Sequence, residues 1–241
     1  MKTLSQRLAE IKNKIAEAAE KSGRSANEIE LVAVTKTHPP EAVQEALDAG
    51  QTLFGESRVQ EARAKIPLLP SRARWHFIGH LQKNKIRHAL ALGFELFHSV
   101  DSSALTRDLS RVADEEGQNL RVLLEINVAG EASKFGFKPE LLKKEMETLI
   151  ALPRLQIEGL MTIPPPAPKA ELSRKYFVAL RELRDELQRE FQIGLPHLSM
   201  GMSEDFSIAV EEGATLVRVG TAIFGARSAK AWKPQPSAFD E

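Results

Sequence analysis

The stretch Glu30-Leu-Val-Ala-Val-Thr-Lys36 is β-branched and almost wholly apolar, and Pro39-Pro40 follow closely behind it. A run of that kind reads as a strand covered on both faces, the usual state of a strand in a parallel sheet. Pro40 suits the first turn of a helix and Gly50 its end, so the segment between predicts a helix to about Ala49. One strand, one helix and one glycine stop make the unit from which the rest of the chain is built.

The same alternation continues on both sides. Upstream, Leu4, Leu8, Ile11 and Ile15 repeat at helical spacing, and Gly23 closes that amphipathic helix. Downstream, strands are predicted at Thr52–Ser57, Arg74–His80, Glu95–Asp101, Leu120–Val128, Leu155–Thr162, His197–Met202 and Thr215–Phe224. Helical stretches fall between them, around Val59–Ile66, Gln82–Leu92, Ser102 or Ser103 to Glu116, Pro139–Leu152 and Ala170–Phe191. Ser203 is expected to cap a short helix ending at Gly213. Every parallel return needs a crossover, so strict strand–helix alternation implies a parallel sheet. Eight such units match an α/β (β/α)8 TIM-type barrel with an extra N-terminal helix, spanning residues 1–228, with a flexible tail at 229–241. Strand counting alone leaves a doubly wound open sheet as the rival.

Composition narrows the function. The 241 residues carry 33 Lys+Arg against 33 Asp+Glu, which argues against a general nucleic-acid binder. With no Cys, a disulfide framework, a zinc–thiolate site and a cysteine nucleophile are excluded. No signal-peptide core and no apolar run long enough to span a bilayer is present, so the expected location is the cytoplasm, away from membranes.

The active end of a barrel is the C-terminal end of its strands. Lys36 stands there on the first strand. A partly desolvated lysine has a lowered pKa and supplies the free amine that forms a Schiff base with an aldehyde. The segments Ser199-Met-Gly-Met-Ser203 and Gly220-Thr221, on strands seven and eight, stand where barrels often bind phosphate. Arg218, inside the apolar run Leu216-Val-Arg-Val219, is costly to bury unless it forms a structural ion pair; if a pyridine cofactor is present, it could instead donate to the ring nitrogen. His76 and His80 lie roughly 13 Å apart if on one strand, too far to share a metal, and His98 and His197 lack ligand spacing. No metal is expected.

Several segments together resemble one family. They are Val32-Ala-Val-Thr-Lys36, Phe54-Gly-Glu56 with Val59-Gln-Glu61, Trp75-His-Phe-Ile-Gly79 with Leu81-Gln82 and Asn84-Lys85, and Ser99-Val-Asp101. Glu125-Ile-Asn-Val128, Gly159-Leu-Met161, Leu198–Ser203 and Val217-Arg-Val-Gly-Thr221 with Ile223-Phe-Gly225 continue the match to the end of the barrel. The chain thereby resembles the pyridoxal phosphate homeostasis protein family, relatives of the alanine racemase N-terminal domain. The resemblance implies pyridoxal 5′-phosphate (PLP) held as a Schiff base on Lys36. It implies a phosphate cradle at Ser199, Met200, Gly201, Ser203, Gly220 and Thr221, and Arg218 at the pyridine nitrogen. It further implies a monomer that keeps vitamin B6 and amino-acid pools in balance without substantial turnover. PLP-accepting enzymes are a candidate class of partner, and the sequence does not name the recipient. Ser57 departs from the Asn usual in the family.

The residues favour a holder over an enzyme. Electron-sink PLP chemistry is served by a carboxylate that keeps the ring nitrogen protonated, whereas an arginine disfavours that proton. Racemisation needs a second base, and the only tyrosine, Tyr176, falls in a helical pattern on the outside of the barrel. A weakly active PLP-dependent racemase, using His80 or Asp101, is the first alternative. An aldolase or sugar-phosphate enzyme without PLP is the second.

Overall fold

Thr3 opens the first helix by a reciprocal capping box. Its hydroxyl accepts from Gln6 N and the Gln6 side chain accepts from Thr3 N. The helix that follows, α1 (Leu4–Lys21), buries Leu4, Leu8, Ile11, Ile15, Ala18 and Ala19 along one stripe. The structure, a computed structural model, describes residues 2–131, 134–225 and 232. Of the tail expected at 229–241, only Trp232 falls among the described residues.

The alternation resolves into β1 (Glu30–Val34), α2 (Pro40–Asp48), β2 (Leu53–Glu56), α3 (Val59–Lys65), β3 (Arg74–Phe77) and α4 (Ile86–Leu90). It continues through β4 (Leu96–Val100), α5 (Ser103–Glu115), β5 (Leu120–Glu125), α6 (Pro139–Ile150), β6 (Leu155–Met161) and α7 (Arg174–Phe191). It finishes with β7 (His197–Ser199), α8 (Phe206–Glu211), β8 (Leu216–Val219) and α9 (Thr221–Phe224). All eight strands are parallel and lie in sequence order, and β1 pairs with β8 through Glu30↔Leu216 to Ala33↔Val219, so the sheet is a closed barrel. That closure excludes the doubly wound alternative.

Two apolar layers follow from the two-residue repeat of a strand. Val32, Leu53, Leu96, Leu123, Met161 and Leu216 pack together inside the barrel. Their sequence neighbours, among them Leu31, Ala33, Phe54, Phe97, Val122, Leu124 and Val217, join the larger core under the helices. The helices over β7 and β8 are only 6 and 4 residues long, and α1 packs against both. Arg7 and Arg24 fasten it there, Arg7 Nε donating to Ile223 O at 2.5 Å and Arg24 to Val210 O and Ala214 O at 3.0 and 2.9 Å. No helix among the described residues is long and apolar enough to cross a membrane.

The ends of the strands differ from the expected ones in an informative way. β1 stops at Val34, leaving Lys36 in the turn beyond it, and β7 stops at Ser199 instead of Met202. The apolar run expected as one strand to Phe224 is a strand to Val219, then Gly220 and a helical turn. Ile223 is buried either way, so hydrophobicity alone does not reveal the change. Gln82–Leu92 divides into a 3-10 turn at Lys83–Lys85 and α4, and Ala170–Phe191 into a 3-10 turn at Ala170–Ser173 and α7. The residue before α8 is Asp205, not Ser203. Asp205 Oδ1 accepts from Met202 N at 2.7 Å and ties the loop rather than capping the helix.

Candidate functional site

A cavity of about 550 Å³ opens at the C-terminal end of the barrel, within the size range of small-molecule sites. Lys36, Ser203, Arg218, Gly220 and Thr221 all line it. The other three residues expected at the site lie behind its wall. Ser199 is fully buried and bonded to Arg218, Met200 is fully buried in the core, and Gly201 lies against α8. At Gly201 φ is +91° and an added Cβ would meet Ala209 Cβ at 2.5 Å, so the glycine serves loop packing. Pro164, Pro165, Pro166, Ile163 and Met202 form an apolar rim that the cradle motif did not include.

Lys36 sits between two anchored neighbours. On one side Lys65, wholly buried, donates from Nζ to Thr35 O at 2.9 Å and to Glu56 Oε1. Glu56 Oε1 also accepts from Thr35 Oγ1 at 2.6 Å. Burial pushes the Glu56 carboxyl up, and the Lys65 charge opposes that shift. On the other side Thr37, with φ at +67°, donates its N–H to Glu61 Oε2 at 2.7 Å. The left-handed backbone of a β-branched residue is costly and persists only where its surroundings enforce it. Trp232 N–H adds a bond to Thr37 O at 3.0 Å, and the Trp232 ring lies 5.1 Å from Lys65 Nζ. The Phe54-Gly-Glu56 and Val59-Gln-Glu61 motifs thus fix the backbone on which Lys36 stands.

Arg218 is 4% exposed and rises from the barrel interior. It donates to Ser199 Oγ and, from Nη2, to Thr162 O at 2.9 Å. Ser199 Oγ lies 2.8 Å from His98 Nδ1, and His98 Nε2 lies 2.9 Å from His76 Nδ1. Spacing along the sequence does not display this pairing, because it runs across β3 and β4 rather than along one strand. Burial lowers His76 to about 3 and His98 well below its usual value, so both rings are neutral at pH 7. Burial likewise brings Arg218 down to about 10, with the Glu125 and Asp205 charges opposing, and it stays a cation at pH 7. A guanidinium held by two bonds presents its other donors in a fixed plane.

The β8 end of the cavity is built from backbone. First-turn N–H groups of a helix have no carbonyl one turn back to bond. In α9 the Ala222 N–H reaches Ser203 Oγ at 3.4 Å, which places that hydroxyl beside Gly220 and Thr221. An added Cβ at Gly220 would press on Val34 Cβ and O at 3.3 Å, so the glycine lets the turn lie against β1. An amine, a buried guanidinium, a hydroxyl and helical N–H groups around one cavity fit an aldehyde-bearing pyridine phosphate.

A second group of titratable residues ends β3 to β5. His80 Nδ1 lies 2.6 Å from Asp101 Oδ2, and the Phe135 ring stacks on His80 with centroids 4.0 Å apart. Burial first, then the Asp101 charge, pushes Glu125 up to about 7, while Arg218 and His80 oppose. The unfolded chain releases that proton near the ordinary 4.5 and the folded chain keeps it to about 7, so this group weakens folding as pH rises through the window. Glu125→Gln is therefore expected to gain up to about 3 kcal/mol on the native protein between acid and neutral pH. Denaturant unfolding at several pH values checks this, and a difference independent of pH contradicts it.

Residues 7–228 match the family described as alanine racemase, N-terminal domain. The chain is 45% identical over 223 residues to the pyridoxal phosphate homeostasis protein of Aquifex aeolicus, covering 92% of this chain and 97% of that one. It is 44% identical over 230 residues to the protein of the same name from Pseudomonas aeruginosa, covering 94% and 97%. Among solved structures it is similar to PipY of Synechococcus elongatus with PLP bound, with a TM-score of 0.82 and 40% identity over 92% of this chain and 100% of that one.

Proposed function

The chain belongs to the pyridoxal phosphate homeostasis protein family, built on the alanine racemase N-terminal domain, and on that premise we propose that it binds PLP and holds it without substantial turnover. The observation that carries this reading is one cavity lined by Lys36, Arg218, Ser203, Gly220 and Thr221. When bound, the cofactor supplies an aldehyde that takes up amines and a ring that withdraws electrons. Lys36 provides the amine for that aldehyde and holds the cofactor as a Schiff base. Ser203 and the α9 N–H groups take the phosphate. Arg218 donates to the pyridine nitrogen, and its charge keeps a proton off that atom, which suits holding over electron withdrawal. The working form is a cytoplasmic monomer, with PLP-accepting enzymes as recipients.

Native mass spectrometry after incubation with PLP is expected to show one cofactor mass per chain. Ser203→Ala is expected to weaken that binding roughly two- to tenfold, the worth of one hydrogen bond. Failure to retain the cofactor mass under native conditions contradicts the reading.

One observation favours weak racemase-like activity as a second reading. His80, paired with Asp101, lines a cavity that Lys36 also lines. An imidazole oriented by a carboxylate can hold and return a proton. Solvent deuterium entering the α-position of amino acids, and stopping on His80→Ala, would support it. No exchange across a broad amino-acid panel dismisses it.

A further inference from the structure

A cavity of about 820 Å³ lies on the other side of Lys36 and Ser57, which also line the cofactor cavity. Its lining includes Arg58, Gln60, Gln82 and Lys85. Glu61 is its one carboxylate, and both oxygens of Glu61 are engaged, by Thr37 N at 2.7 Å and Arg58 at 3.3 Å.

The cations near this cavity divide in a telling way. Lys83 pairs with Asp108 at 3.1 Å, and Arg87 pairs with Glu115 and Glu116. Lys85, between them in sequence, faces the cavity and has no ion-pair partner among the described residues. The side-chain amides of Gln60 and Gln82 likewise have no hydrogen-bond partner among the described residues. The cavity therefore gathers excess positive charge and unused amide donors, the groups that take a carboxylate. The cavity is open to solvent at Arg58, Gln60 and Gln82, and its volume is that of a small-molecule site.

We propose that this cavity binds the carboxylate of a small amino acid through Lys85, Gln82 and Arg58, leaving the amine at the wall shared with the cofactor cavity. The carboxylate contact stands by itself; its use in drawing on the cofactor rests on the PLP reading. Ser57 lines both cavities and so forms part of that wall. With partly exposed cations, each contact contributes little, so binding is expected in the millimolar range.

The test is an NMR titration of the protein, once loaded with PLP and once free of it, with L-alanine, with propionate and with inorganic phosphate. Alanine and propionate are expected to shift the amides of Gln82 and Lys85, and Lys85→Ala to weaken both on the order of two- to fivefold. Because the PLP-free protein is also read, failure to load PLP leaves this result intact. Shifts produced by phosphate alone would place an inorganic anion there and overturn the proposal. Shifts confined to Ser203 and Thr221, or none with alanine, overturn it too.

Discussion

Lys65→Met is expected to lower the unfolding free energy at neutral pH by about 3–5 kcal/mol, as when one member of a buried ion pair is removed. Lys65 and Glu56 are both wholly buried, and Glu56 Oε2 has no hydrogen-bond partner. Without the ammonium, the carboxylate keeps only the Thr35 hydroxyl, and the Thr35 carbonyl loses its donor. The folded variant then holds a proton on Glu56 that the unfolded chain releases near its ordinary pKa, so the deficit shrinks as pH falls toward about 4.3 and changes no further below it. Glu56→Gln combined with Lys65→Met removes both charges and is expected to recover much of the loss, since a neutral pair needs no counter-charge. Chemical denaturation of the three variants across pH checks this. A Lys65→Met deficit below about 1 kcal/mol, the range of an exposed pair, would contradict the brace. The brace also bears on function, because it fixes the residue preceding Lys36.

Lys36→Ala is expected to abolish the visible absorbance that PLP acquires on the native protein. The proposed phosphate cradle and Arg218 stay intact in this variant, so cofactor is still expected to bind, weakly and without a covalent link. Equilibrium dialysis separates that case from simple unfolding, and circular dichroism is expected to match the native protein. A variant that kept the Schiff-base absorbance would move the amine to another lysine. Lys134 lines the same cavity and is the one to examine.

The barrel was legible because each β-branched run ends at a turn and each helix at a glycine or a capping residue. Lys36 was legible for the same reason, as a lysine just past an apolar strand. The brace was not. Lys65 lies in the helical stretch Val59–Ile66, where a lysine ordinarily points to solvent, and only the approach of α3 to β1 and β2 buries it. The His76–His98–Ser199–Arg218 chain was hidden similarly. Parallel register places His76 opposite Leu96, so His98 lies one repeat farther along the adjacent strand. Spacing along one chain cannot display a contact of that kind. Ser203 was read as a cap because Ser203-Glu-Asp205 offers two capping residues two apart; burial of Phe206 sets the helix start after the second.

Borohydride reduction of the PLP-loaded protein, followed by peptide mapping, identifies the lysine that carries the cofactor. That lysine is expected to be Lys36, with the modification lost in Lys36→Ala. Mass fixed on Lys134 or on any other lysine, with Lys36 unmodified, would contradict it.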